Sequence, residues 1–473
     1  MNRAVSPNQT ALPRERASSK TNLQKNERFN ARPLLTGDWI VNWNYTSTMK
    51  NIKSTCLSLV MLAAAVFGAS GESFRTDINP ALQYYQALLV APELSQSDRD
   101  FLFTNEWRSG KLPERLGELV ARYDNQFKLL RQAARSSVPC DWGIDMSPGP
   151  ATLLPHLARI RAIAQAARLR VMWDLQQGRP TDARDDLLAV FALGRNSARD
   201  GVLISALVQI AVEDIICSTV AESLHLFSPE ILKQLADGLA AAPPRCTMAA
   251  CIPMEKSSFV DWLANRIADL QKENPGNDAA VMAGARELVT ALEGPGEGRS
   301  AQTRPSLWEQ VATASGGTSE GVVGLLRDEE RLYDRLAAVM ALPQSDYDSQ
   351  AKQLTAEIQK SANPFVSLTF PAFERARQRE LAMLVELAMV QAAVAYKLNG
   401  DPGLKSVPDP AGQESFAFER FVFEGVDRGF KLKSVYAGRG FPEVLIFVEK
   451  DGAPFYVSGA KAGQALARSS ATR

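Results

Sequence analysis

LLPHLARIRAIAQAARLRVMWDLQQGRPTDARDDLLAVFALGR, residues 153–195, is the stretch whose reading decides the fold. In its first half, Leu153, Leu157, Ile160, Ile163, Ala167 and Val171 recur at steps of three and four, which places them on one helical face. Gly178 and Pro180 end that helix, because Gly suits a C-terminal cap and Pro cannot continue the hydrogen-bond ladder. Thr181 is expected to cap a second arm with Asp182 in its first turn, where the helix dipole favours an acid. Leu187, Val190, Phe191 and Gly194 then face back, so the stretch reads as a helical hairpin. No catalytic signature stands on it or near it.

Other helical stretches extend this pattern outward. N-terminal to the hairpin, Asn79–Pro92 and 112–134 have helical periodicity, and Ser97 offers a cap between them, ahead of Asp98 and Asp100; residues 136–150 are loop by composition. C-terminal to it, 203–226 is a strongly apolar helix and Ser228-Pro229 starts another. Helices resume over 257–272 and 279–292, then over 327–342, 345–361 and 371–398, the last stopping at Asn399-Gly400. After Asp401 the composition turns to short β-rich blocks. Phe430, Leu432 and Tyr436 fall on one strand face, and Asp451-Gly452 is a hairpin turn between 444–448 and 455–457. A sheet this small would be marginal alone, so it should pack on the 371–398 helix. The expected fold is mainly α: a right-handed, repeat-like (solenoid or tetratricopeptide-like) stack with a small C-terminal antiparallel sheet.

The expected organisation is an N-terminal extension over 1–48, disordered or preceding a true start at Met49; a signal peptide over 49–71; a helical body over 72–293; a linker or long loop over 294–320; a helical continuation over 321–400; the sheet over 401–459; and a frayed tail over 460–473. The signal reading rests on Lys50 and Lys53 before the apolar run Leu57–Phe67, with small residues at Ala69 and Gly71 and cleavage before Glu72. An anchor formed by residues 55–70 is the alternative, although the run is short of the roughly 20 residues that span a bilayer. Periplasmic or secreted localisation follows from cleavage.

Hydrophobic residues make up 45% of the 473, which suits a folded chain. Lys plus Arg and Asp plus Glu are balanced at 53 each, yet residues 1–71 hold nine basic and three acidic side chains. The remainder has 44 basic and 50 acidic residues, about −6, which gives no electrostatic case for nucleic acid. After removal of Cys56 with the signal, Cys140, Cys217, Cys246 and Cys251 remain. Three disulfide pairings are open, including a local Cys246–Cys251 bridge beside Pro243-Pro244; buried free thiols are the alternative. No CxxC occurs and only His156 and His225 carry imidazoles, so a zinc site is not expected.

The hairpin resembles a tetratricopeptide-type repeat at Ala167, Leu169, Gly178, Ala183 and Leu187, but lacks that repeat's Trp/Leu/Gly/Tyr opening. More broadly, LLPHLARIR, TDARDDLLAVFALGR, AMVQAAVAYKLNG and DPAG (409–412) resemble elements of exported bacterial helical-body proteins of unknown function. The long helix leading into a small sheet is pilin-like in layout, although in this chain it follows a whole helical body. The resemblance implies fold and export and brings no activity with it.

Candidate chemistry is sparse. Glu213 and Asp214, in an apolar helix, could form a general acid/base pair, but neighbouring helical residues diverge by about 100°. One should therefore lie at the solvent edge and the other pair with an Arg. His156 could orient an anion beside Arg159 and Arg161; the simpler reading is a locally hydrogen-bonded ring at a helix start. His225 sits near a helix end, where a cation is favoured. Glu255 could reach into a concave face, or begin a helix in solvent. Gly317, Gly321 and Gly324 lack the GK[ST] of a phosphate loop. No catalytic, cofactor-binding or metal-ligating residue is assigned. The expected function is a non-catalytic interaction or scaffold protein with a protein or peptide partner, with membrane association only through the N-terminal apolar run. The alternatives are a carboxylate-dependent hydrolase using Glu213 or Glu255, and a membrane-tethered envelope component.

Overall fold

In a computed structural model the described residues are 77–104, 111–292, 305–412, 414–423, 425–437 and 443–450. The chain divides into units 1–74 and 75–473, and all described residues lie in the second. The extension, the signal-like stretch, most of the 294–306 segment, the Asp451-Gly452 hairpin and the tail lie outside them.

The body is mainly helical. It begins with α1 (Pro80–Leu89), α2 (Gln96–Thr104), α3 (Glu114–Ala121) and α4 (Asp124–Ala134). The hairpin is α5 (His156–Gln176) and α6 (Pro180–Ser197), followed by α7 (Leu203–Ser223), a 3-10 turn (Leu224–Leu226) and α8 (Pro229–Ala240). Next come α9 (Met248–Lys256), a π-turn (Ser257–Asp261), α10 (Trp262–Glu273) and α11 (Asp278–Leu292). The second half holds α12 (Leu307–Ala314), α13 (Ser319–Met340), α14 (Gln344–Lys360), α15 (Pro364–Asn399) and the short α16 (Asp401–Lys405). A three-stranded antiparallel sheet in the order β1 (Ala417–Phe423), β2 (Val426–Lys433), β3 (Val444–Val448) follows.

The hairpin forms around the expected punctuation. Gly178 takes φ +70°, the left-handed conformation that costs a glycine least, and Pro180 occupies the first helical position of α6, where a missing N–H costs nothing. Two details differ. Arg179, not Thr181, is the N-cap of α6, because Pro180 already starts the helix two residues earlier than that cap would allow. Leu153 precedes α5 and is 83% exposed, so the buried stripe begins at Leu157. Gly194 lets α6 and α7 approach closely: a Cβ there would lie 2.8 Å from a Val212 methyl.

Successive helices bury their faces on neighbours in a repeat-like way. α5, α6 and α7 pack mutually, α4 packs on α6 and α1, and α3 packs on α5. α7 is the central element: it also touches α9, α15 and β3. That explains why it is apolar almost all round, with Ala206, Ile210, Val212, Ile216, Cys217 and Val220 buried. Residues 203–226 and 373–399 are long and apolar enough to cross a membrane, and both pack largely inside this body.

Several boundaries depart from the sequence reading. The second helix is capped by Ser95, whose Oγ accepts from Asp98 N at 3.1 Å, rather than by Ser97. The 112–134 stretch is two helices that break at Arg122-Tyr123. α9 begins at Met248, capped by Thr247, and runs through the π-turn into α10, so Ser257 lies inside a continuous helical run rather than at its start. α12 stands where a linker was expected; Ser306 and Glu309 form a reciprocal capping box at its start. α13 begins at Ser319, well before residue 327. α15 begins at Asn363-Pro364, not at 371, with Asn363 Oδ1 accepting from Phe365 N at 3.1 Å.

The sheet lies against both α15 and α7. Phe430 on β2 stacks between Phe418 and Phe447 at 5.1 Å on each side, and Tyr396 of α15 meets Phe418 and Phe430 at 5.0 and 5.1 Å. Phe421, Ile446 and Val448 form a second cluster. Buried Asp409, in the DPAG stretch, accepts from Ser434 Oγ at 2.7 Å and Val435 N at 2.9 Å, and so ties the turn after α16 to the end of β2.

Candidate functional site

A groove of about 780 Å³ opens between α3, α4, α5 and the start of α6. Its α4 wall is a charged stripe. Asp124, Lys128, Arg131 and Arg135 recur at steps of three and four and share a face. On α5, Arg170, Trp173 and Asp174 do the same. Gly117 on α3 makes room for the indole: a Cβ there would sit 2.2 Å from Trp173 Cζ2.

An ion-pair network fixes the floor. Fully buried Asp186 of α6 accepts from Arg131 Nε at 2.6 Å and Arg170 Nε at 2.9 Å. Arg170 continues to Asp124 Oδ1 at 2.5 Å and to the Val120 carbonyl at 2.9 Å, and its guanidinium lies 4.6 Å over the Phe127 ring. Arg131 also reaches Asp182 at 3.2 Å, and Arg179 pairs with Asp174. Burial pushes the Asp186 carboxyl up, against the pull of Arg170 and Arg131. Such a network adds little net stability but holds planar groups in one geometry. Five cations and three carboxylates line the groove, and the α4 cations Lys128 and Arg135 are exposed at its edge.

The residues singled out from sequence lie elsewhere and have separate partners. Glu213 is fully buried between two cations, Arg195 of α6 and Arg245, whose Nη2 is 3.0 Å from Glu213 Oε2. Burial pushes Glu213 up and Arg195 down, while both arginines oppose the first shift. Asp214 is exposed, and its partner is Glu386 of α15. Burial, Asp214 and Glu443 together hold Glu386 well above the usual carboxyl range. Glu255 is not a solvated helix start: within α9, its Oε1 accepts from Leu203 N at 2.7 Å and so caps α7. Burial raises it too. Glu255 meets α7 at its first residue, whereas Glu213 lies ten residues further on, about 15 Å along the axis.

His156 corrects another expectation. Its ring is buried and stacked on Trp142 at 4.5 Å, and neither ring nitrogen has a hydrogen-bond partner among the described residues. Burial lowers its pKa, so the ring is held as a neutral aromatic rather than a locally bonded imidazole. His225 sits in the 3-10 turn after α7. Gly317 lies in the turn between α12 and α13, and Gly321 lets the first turn of α13 approach the Ser315 carbonyl. All four described cysteines are free thiols, and no described group of three or more His, Cys, Asp or Glu could hold a metal.

Sequence reasoning passed over Arg131, Arg170, Arg179, Asp186, Arg245 and Glu386. The stripe Asp124, Lys128, Arg131, Arg135 was the available signal, because charges at helical spacing across from an apolar face mark an outward surface. The partners of Arg131 and Arg170 are 55 and 46 residues away and leave no local pattern. No family model, curated protein or solved structure matches the chain.

Proposed function

We propose that the protein is a non-catalytic binding or scaffold protein whose α3–α6 groove takes an extended acidic segment of a partner protein. The observation that carries this reading is the groove itself: five cations against Asp124, Asp174, Asp182 and the buried Asp186, with Lys128 and Arg135 exposed at the edge and Trp173 and Phe127 beside them. Preorganised cations lose little on binding an acidic segment, and the aromatic wall offers apolar contact to its side chains. The tetratricopeptide-like form of the α5–α6 hairpin agrees with such a role. Hydrolysis is the weaker reading, since Glu213 is neutralised by two arginines and Glu255 is used as a helix cap. With binding we propose export. The support is Lys50, Lys53 and the Leu57–Phe67 run, and a native N-terminus other than Glu72 would remove it.

Fluorescence anisotropy with labelled peptides tests the binding. An acidic peptide containing one aromatic residue should bind more tightly than its amide counterpart, in which Glu is replaced by Gln, and should weaken with added salt. Lys128→Glu with Arg135→Glu should abolish that preference. Equal binding of the two peptides, or an unaffected variant, would overturn the proposal.

A further inference from the structure

Cys246 and Cys251 lie at the entrance to α9, in the sequence CTMAAC, with their sulfurs 3.6 Å apart. Cys246 is just outside the helix and half-buried, whereas Cys251 is fully buried inside its second turn. Thr247 organises the pair. It caps α9 by accepting from Ala250 N at 3.2 Å, and its carbonyl takes the Cys251 N–H at 3.2 Å and faces the Cys251 thiol at 3.3 Å. The Cys246 peptide is clamped from α7. Buried Gln209 accepts from Cys246 N at 3.0 Å and donates to its carbonyl at 3.2 Å. A further anchor comes from α15, where Glu380 Oε1 accepts from Met248 N at 3.0 Å.

We propose that Cys246 and Cys251 form a redox-active dithiol, a site at which a low-molecular-weight disulfide or a partner disulfide is reduced and the pair is oxidised. Three elements hold the two sulfurs together, which random proximity of free thiols would not need. A bond requires the sulfurs to close from 3.6 Å to about 2.05 Å, within reach of side-chain rotation while Gln209 keeps the backbone still.

The exposures assign the roles. Cys246 can be reached from solvent and Cys251 cannot, so Cys246 attacks. The hydrogen-bond contact with the Cys251 sulfur lowers the Cys246 pKa despite burial and the charges of Asp200 and Glu380; Arg245 assists. Cys251 is correspondingly raised. A start-of-helix position also favours a thiolate. Cys140 and Cys217 provide the contrast: burial pushes Cys140 up to about 12 and Cys217 well above its usual value, so both stay protonated.

The electrons balance in two exchanges. The Cys246 thiolate attacks one sulfur of R–S–S–R, forming the Cys246–S–S–R mixed disulfide and releasing one RS⁻, which takes up a proton. Cys251 loses its proton and attacks the Cys246 sulfur, forming the Cys246–Cys251 disulfide and releasing the second RS⁻. Two thiols of the protein are oxidised, and one external disulfide is reduced to two thiols.

The test equilibrates the full chain in glutathione buffers from fully reduced to fully oxidised, then blocks thiols with iodoacetamide and maps peptides by mass spectrometry. The proposal expects a Cys246–Cys251 disulfide that forms and reverses with the glutathione ratio, with Cys140 and Cys217 free throughout. In the reduced protein, Cys246 should alkylate roughly tenfold or more faster than Cys140 or Cys217. Cys251→Ser should trap a glutathione adduct on Cys246. Absence of the 246–251 linkage at every ratio overturns the proposal. So does a glutathione adduct that persists on wild-type Cys246, since Cys251 would then not resolve it. The wild-type measurement stands whether or not the variant folds.

Discussion

Glu213→Gln is the most telling perturbation of the core. The carboxylate is fully buried, and the side chains of its partners Arg195 and Arg245 are only 13% and 9% exposed. Gln keeps the shape, so little cavity cost arises. It removes the charge that faces both guanidiniums, and leaves two buried cations facing a neutral amide. Breaking a buried ion pair on one side costs about 3–5 kcal/mol. The charged hydrogen bond from Arg195 alone is worth about 1.5–3 kcal/mol, and the facing Arg245 cation adds to that. Against a typical folding free energy of about 5–15 kcal/mol, the loss should be obvious. Urea unfolding followed by far-UV circular dichroism should show a lower midpoint with an unchanged slope. Replacing the triad together, as Arg195→Met, Glu213→Leu and Arg245→Met, should recover most of the loss, because the desolvation penalty goes with the charges. A loss below about 1 kcal/mol for Glu213→Gln would refute the claim that this carboxylate holds the two cations in the interior.

Two further outcomes follow from other parts of the body. Glu386 has a raised folded pKa, so its contribution is fully present below the ordinary Glu pKa and is lost as pH rises through the folded value. Glu386→Gln should therefore flatten the decline of melting temperature from about pH 5 upward, and an unchanged pH profile would show that the raised pKa is not expressed. Tyr396→Ala removes the ring that meets both Phe418 and Phe430, at about 0.5–1.5 kcal/mol for each aromatic pair. Its loss should speed amide exchange across β1 and β2, and exchange confined to α15 would mean the sheet does not depend on that contact.

The hairpin could be read from sequence because its information is local. Gly178, Pro180 and the three-and-four spacing of Leu157, Ile160 and Ile163 act within a turn or two. The packing of the sheet on the long helix was also readable, since a sheet this small would be marginal alone, although its contact with α7 was not foreseen. α9 was hidden behind Pro243-Pro244; Thr247 caps a new helix just after them, and that helix carries Pro253 inside it and passes into the π-turn at 257–261. α12 was hidden by the Gly- and Pro-rich residues before it, although Ser306 and Glu309 carry the capping signature. The polar sites were least accessible. Asp186 looks like any acid in a charged run, and only the return of α4 beside α6 puts Arg131 against it. Likewise Glu386 is one acid on a long helix until α7 brings Asp214 alongside.

The most direct measurement of the central claim is hydrogen–deuterium exchange on the full chain, with and without a saturating acidic aromatic peptide. Binding in the groove predicts slowed exchange in 114–135 and 166–182, the segments of α3, α4, α5 and the start of α6 that form its walls, with the sheet unchanged. Bound peptide that protects other segments and leaves these two unaltered would contradict the account.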